Sequence, residues 1–200
     1  MKPSRLILSL MVVGLLFLIP ACGGGESATP TPTPEPIIKT AAAEMNLSAA
    51  DLGADWSVTG EETLETMKQG EGADLPPYLQ DASMRTFETG EIGDLVVSII
   101  FRTESVDSAK EEMAGGVIQD LAKAFQEQMP SATVEPLSSP DVGDEAVMIG
   151  GSESTLGLNV YVITFRKANI IAMLMVMGPQ GSATEETTLG YAHKLEAKIR

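Results

Sequence analysis

Leu95-Val96-Val97-Ser98-Ile99-Ile100-Phe101-Arg102-Thr103 is the stretch that decides the fold. Side chains alternate between the two faces of a strand, so Leu95, Val97, Ile99 and Phe101 fall on one face and Val96, Ser98 and Ile100 on the other. Both sets are apolar, which is the pattern of a strand covered on both sides and therefore central in its sheet. A helix is expected directly after it. Ser105 can accept from the free amides of a first turn, and Asp107 complements the positive end of the helix dipole. Val106, Ala109, Met113, Val117, Leu121, Ala124 and Phe125 then recur at helical spacing until Pro130 stops the run. Gly115-Gly116 interrupts this helix and is read as a close approach to the sheet or a kink.

The C-terminal third reads as a meander. Glu145–Ile149 is expected as a strand and Gly150-Gly151-Ser152-Glu153 as the opening of a loop. Leu158–Phe165 and Asn169–Met177 are two strands of a hairpin turning at Arg166–Ala168. Ser182-Ala183-Thr184-Glu185 has the spacing of a capping box. The helix after it turns Leu189, Ala192, Leu195 and Ile199 inward. On the other side of the central strand, Ser48 caps a turn over Ala49–Leu52. Gly53 ends that turn, Trp56–Thr59 starts a strand, and Met84–Glu88 is another. Residues 61–82, acidic and broken by Gly70, Gly72 and Pro76-Pro77, read as a loop with one helical turn near Leu64–Met67. The expected class is α+β: an antiparallel sheet with two main helices packed on one face.

Several of these pieces resemble one group in order and wording. They are the strand ending Phe101-Arg102, the helix opened by Ser105 and containing Ala109, and the Val142-Gly143-Asp144-Glu145-Ala146 turn and strand. Phe165-Arg166-Lys167-Ala168-Asn169-Ile170-Ile171 at a hairpin and the terminal helix complete the set. Residues 45–200 thereby resemble the PknH-like sensor domains of bacterial lipoproteins and kinase ectodomains. The resemblance implies an extracytoplasmic module that takes a small ligand in a cleft and has no catalytic activity. The chain departs from that group in having Ala168 where glycine is usual and in lacking the stabilising cysteines of the kinase ectodomains.

The amino terminus points to export. Lys2 and Arg5 precede Leu6–Ile19, an apolar run of about 14 residues, shorter than the roughly 20 needed to span a bilayer. Ile19-Pro20-Ala21 before Cys22 resembles a lipobox, which implies cleavage after Ala21 and lipid on the Cys22 thiol. Cys22 is the only cysteine, so no intramolecular disulfide and no cysteine zinc site can form. Two or more acyl chains would hold the protein firmly at the membrane, at about 0.8 kcal/mol per buried methylene. Residues 23–36 (GGGESATPTPTPEP) form a flexible, then polyproline-like spacer that would reach roughly 40 Å when extended. The organisation is thus 1–21 signal peptide, 22–36 lipidated cysteine and linker, and 37–200 a single domain. The expected location is the cell membrane, facing the extracytoplasmic side.

Charge narrows the partners. The chain has 13 basic and 28 acidic residues; without Lys2 and Arg5 the mature form keeps 11 against 28, a formal charge of −17. Nucleic acid, which requires a basic patch, is excluded as a partner. The expected partners are the membrane through Cys22 and a small-molecule, lipid or protein ligand of unknown identity.

No catalytic residue, metal site or cofactor site is expected. His193, the only histidine, lies near the charged end of the last helix. Gly150-Gly151-Ser152-Glu153-Ser154 fails the nucleophile-elbow pattern at its last position. No H-E-x-x-H, P-loop or dinucleotide motif occurs. Asp141, Asp144 and Glu145 do not have the spacing of an EF-hand and read as a turn. Asn46-Leu47-Ser48 matches a glycosylation sequon by chance. Trp56, Tyr78 and Tyr161 are too few for a carbohydrate platform. Met173, Met175 and Met177 share a strand face that is either core or a pliable apolar groove. Two functional classes follow: a lipid-anchored ligand-binding or sensor module, and a structural or protein-interaction component of the cell envelope.

Overall fold

A computed structural model describes residues 35–69, 75–90, 94–115, 132–137, 139–154 and 157–200. The signal peptide, Cys22, the linker to residue 34 and the expected helix beyond Gly115 lie outside the described residues. Residues 35–200 form one unit by their contacts.

The chain runs α1 (Ala42–Met45), α2 (Ala49–Leu52), β1 (Ser57–Thr63), α3 (Leu64–Gln69), β2 (Leu79–Thr89), β3 (Asp94–Thr103) and α4 (Val106–Ala114). It continues with β4 (Ala132–Pro136), β5 (Glu145–Glu153), β6 (Leu158–Lys167), β7 (Ile170–Pro179) and α5 (Glu185–Lys198). The strands form one seven-stranded sheet in the order β1-β2-β3-β7-β6-β5-β4, antiparallel throughout. β3 lies between β2 and β7, the central place its doubly apolar pattern requires.

One face carries the main core. Val96 and Ile100 of β3, Leu174 and Val176 of β7, and Ile163 and Phe165 of β6 point to it. Ala192, Leu195 and Ile199 close it from α5 and its C-cap, and Ala42, Met45 and Leu52 from α1 and α2. Asn46 is 1% exposed within this core. Its amide donates to the Ser83 and Ser98 carbonyls at 3.0 and 3.2 Å, and its oxygen accepts from the Ser98 hydroxyl at 2.6 Å. The sequon asparagine is therefore fully occupied inside the protein, as the low cost of a satisfied buried amide allows.

The α+β class and antiparallel sheet are those expected, and the helix packing follows in outline. α5, with α1 and α2, covers the core face. α4 stands instead beside Phe101, Thr164, Ile171 and Met173, which point to the opposite face. Ser105 caps α4 as expected, accepting from the Ser108 amide at 3.0 Å.

Three local expectations are corrected. Gly150–Glu153 do not open a loop; they continue β5, paired to β4 on one side and β6 on the other. Glycine is needed because a Cβ at Gly151 would sit 2.2 Å from the Thr133 carbonyl oxygen. The Ser182 capping box does not form. Ser182 donates to Asp94 at 2.5 Å and bonds the Pro179 carbonyl, and Thr184 caps α5 by accepting from the Thr187 amide at 3.1 Å. The 61–82 loop is shorter than read: β1 runs to Thr63, α3 follows, and β2 begins at Leu79. β1 is an edge strand exposed along nearly its whole length, so it has no apolar alternation to betray it.

Candidate functional site

The site is built on the β6–β7 hairpin and β3. Thr164 of β6 pairs directly with Met173 of β7, and Phe101 of β3 with Ile171 of β7. Strand alternation sends all four side chains to the face opposite α5. Two further pieces close over them. The segment before β2 brings Leu75, Pro76 and Tyr78, held by the Glu104 amide donating to the Tyr78 carbonyl at 3.0 Å. α4 brings Glu112. These groups enclose a half-open pocket of about 190 Å³ with mainly apolar walls.

Its polar groups are few. The Tyr78 hydroxyl donates to the Glu112 carboxylate in a short hydrogen bond. Burial first, and then the Glu112 carboxylate, push the Tyr78 hydroxyl up to about 12. Tyr78 therefore stays protonated at any physiological pH. The Thr164 side chain lines the pocket, Thr164 is 1% exposed, and its hydroxyl has no hydrogen-bond partner among the described residues. Buried hydroxyls almost always find a partner, and leaving one unpaired costs about 1–3 kcal/mol. The pocket thus holds an unmet hydrogen-bonding capacity in an apolar wall.

A second, wider groove of about 950 Å³ runs between residues 35–39, the C-terminus and the Arg166–Ala168 end of the β6–β7 hairpin, where β6 continues to Lys167 and the turn falls at Ala168 and Asn169. Its chemistry is internally balanced. The Arg166 side chain, 6% exposed, meets Glu145 at 2.7 Å, Asp144 at 2.9 Å and Glu35 at 3.3 Å. Burial works against the Arg166 charge, but the Glu145 and Asp144 carboxylates outweigh it and raise its pKa. Asp144 also accepts from the Ala168 amide at 2.7 Å, and Arg166 donates to the Ala168 carbonyl at 3.0 Å. These bonds hold Ala168 at φ 52°, the left-handed turn conformation that glycine adopts more cheaply. Asn169, fully buried, accepts from the Ile38 amide at 2.7 Å and donates back to its carbonyl, pinning the start of the domain to the hairpin. The groove is a clamp on residues 35–39, with its arginine already spent.

The residues singled out from the sequence are dispersed. Asp144 and Glu145 neutralise Arg166, and Asp141 is exposed; no group able to hold a metal occurs among the described residues. His193 is exposed on α5, 3.5 Å from Glu196, and lines neither cavity. Trp56 packs edge-on against Tyr191 with ring centroids 6.3 Å apart. Met173, Met175 and Met177 are half-buried and all lean on the cluster of Ile149, Val160 and Val162, and Met173 also forms pocket wall. The methionine face is thus satellite core, and groove as well at its Met173 end. Sequence reading missed Thr164 and Glu112. Thr164 was visible as a polar residue following Val160 and Val162 on one face of β6, whereas nothing local marks Glu112 among its acidic neighbours.

No protein-family model matches the chain, and no curated protein matches it. Among solved structures, the fold is similar to the extracellular domain of PknH from Mycobacterium tuberculosis, at a TM-score of 0.56 and 11% identity. That match covers 79% of this chain and 94% of the other. A putative uncharacterised protein from Mycobacterium smegmatis matches at a TM-score of 0.39 and 12% identity, over 76% and 96% of the two chains. The resemblance read from the sequence therefore holds as a shared fold.

Proposed function

We propose that the chain is a bacterial lipoprotein, anchored through lipid on Cys22, whose domain stands outside the cytoplasm and binds a small ligand without catalysis. The observation that carries the ligand reading is the buried, unpartnered Thr164 hydroxyl in an apolar pocket. A domain does not keep such a group for stability. Binding pockets are mostly apolar with a few placed polar groups, which is the composition of this one. A second support is the likeness in fold to a kinase extracellular domain. The absence of catalysis rests on Tyr78 and Glu112 being committed to each other, with the Tyr78 hydroxyl far above the pH at which a general base works. The envelope-component reading would be favoured by a contiguous apolar patch. Of the described large hydrophobic residues, Ile37 and Val58 are exposed, the first in the segment before α1 and the second on β1.

The test is native mass spectrometry of the mature chain extracted from its own host, beside a Cys22→Ser variant. The expected result is a diacylglyceryl mass increment on the wild type alone, with a smaller reproducible adduct on both proteins. Equal, unmodified masses at position 22 would remove the anchor. An adduct-free spectrum from cells in every growth phase would remove the ligand.

A further inference from the structure

Resting on the ligand-binding reading, we infer that the pocket selects a neutral, compact, largely apolar molecule carrying a hydroxyl group, an alcohol or a phenol rather than a carboxylate. Size sets the first limit. A cavity of about 150 Å³ lined by aliphatic and aromatic side chains accommodates benzene, so 190 Å³ suits a ring or short branched chain with one substituent. Long acyl chains do not fit within it.

The walls set the polarity. Leu75, Pro76, Phe101, Ile171 and Met173 offer only apolar contact, and Met173 can adjust its flexible thioether to ligands of differing shape. The polar groups set the charge. Thr164 presents a hydroxyl free both to donate and to accept. The Tyr78 proton is held by Glu112, so what Tyr78 offers a ligand is oxygen lone pairs. Both offers suit a ligand hydroxyl, which accepts and donates in turn. A carboxylate can only accept, so it would use Thr164 alone while facing the Glu112 charge in the same wall and the chain's formal charge of −15. A cation would find Glu112, yet that carboxylate is already bonded to Tyr78, and the apolar remainder of the site gives an ammonium no hydration.

The probes are phenol, cyclohexanol, benzene and hexanoate. The protein is the mature chain with Cys22→Ser, so that no lipid competes, and the readout is the Met173 methyl resonance, assigned by Met173→Leu. The expected result is saturable shifts with phenol and cyclohexanol, weaker binding of benzene, and none of hexanoate at equal concentration. Thr164→Val, which keeps the β-branched shape, should weaken phenol about three- to tenfold and leave benzene unchanged or tighter, the effect of one net hydrogen bond. Thr164→Ser should restore most of the phenol affinity, which a folding defect at this position would not. Hexanoate binding as well as phenol would overturn the selection against anions while leaving a ligand pocket. Equal binding of benzene and phenol, both indifferent to Thr164→Val, would overturn hydroxyl recognition and likewise leave the pocket. No Met173 shift with any of the four probes would overturn this inference and the assignment of the pocket together.

Discussion

Thr164→Val separates a binding hydroxyl from a structural one by its effect on the unliganded protein. Thr164 is buried to 1% exposure with its oxygen unpaired. Valine has the same branched outline and equal preference for a strand, so the backbone pairing of β6 with β5 and β7 is undisturbed. An unsatisfied buried hydroxyl costs about 1–3 kcal/mol. The Thr164 oxygen is closed to solvent, and at the lower end of that range the variant should gain about 1 kcal/mol. For a domain of this size that raises Tm by about 2–4 °C. Urea unfolding followed by circular dichroism should show a higher midpoint with an unchanged slope, since the surface exposed on unfolding is the same. Thr164→Ser, which leaves a methyl-sized gap, should instead lose about 1 kcal/mol. A loss of 1 kcal/mol or more in Thr164→Val would show that the hydroxyl has a partner in the folded protein, and the argument for a vacant recognition group would fail.

Removing the Arg166 charge by Arg166→Met should destabilise the domain by about 2 kcal/mol, below the 3–5 typical of a broken buried pair because Asp144, Glu145 and Glu35 are each over 40% exposed and water screens them. Paired urea titrations of the two proteins at pH 7 would show the deficit as a lower midpoint. Burial acts to raise the Asp51 carboxyl, but Lys198 at 2.5 Å and the Ser48 hydroxyl and amide outweigh it and hold Asp51 at about 2, against an ordinary 3.8. A lowered folded-state pKa gives stability that is complete above the unfolded value and lost as pH falls. Screening reduces the nominal value to about 1 kcal/mol, which should disappear between pH 4 and pH 2 and be absent from the pH profile of Asp51→Asn. Gly151→Ala should force β4 from β5, since the new methyl would meet the Thr133 carbonyl at 2.2 Å; hydrogen exchange at residues 133–135 should rise at least tenfold while β7 stays protected.

Periodicity and capping are local, and what depends on them was legible. The two apolar faces of residues 95–103 announced a central strand because each face needs its own cover, and the structure places β2 and β7 beside it and side-chain layers on both sides. Ser105 capped its helix because the hydroxyl needs only the next three residues, and Ser48 is held equally locally, its amide and hydroxyl both donating to Asp51. Ser182 failed for a non-local reason: Asp94, 88 positions away in sequence, takes its hydroxyl. Gly150-Gly151 misled in the same way, since glycine there serves a neighbour strand 18 residues upstream and not a turn.

The reading of Cys22 as a lipid anchor and of residues 23–34 as a spacer rests on the sequence alone, because an export signal is read as an extended segment before any fold exists. The class of the domain, its central strand and its terminal helix were likewise determined there. Only the tertiary structure decided the pocket. Thr164, Met173, Phe101, Tyr78 and Glu112 come from five separate segments, brought together by strand register and by the placement of α4 on the face that α5 leaves open. Register is a property of pairs of strands, and a hydroxyl is unpaired only with respect to everything that surrounds it. Neither is written in any one stretch of the chain.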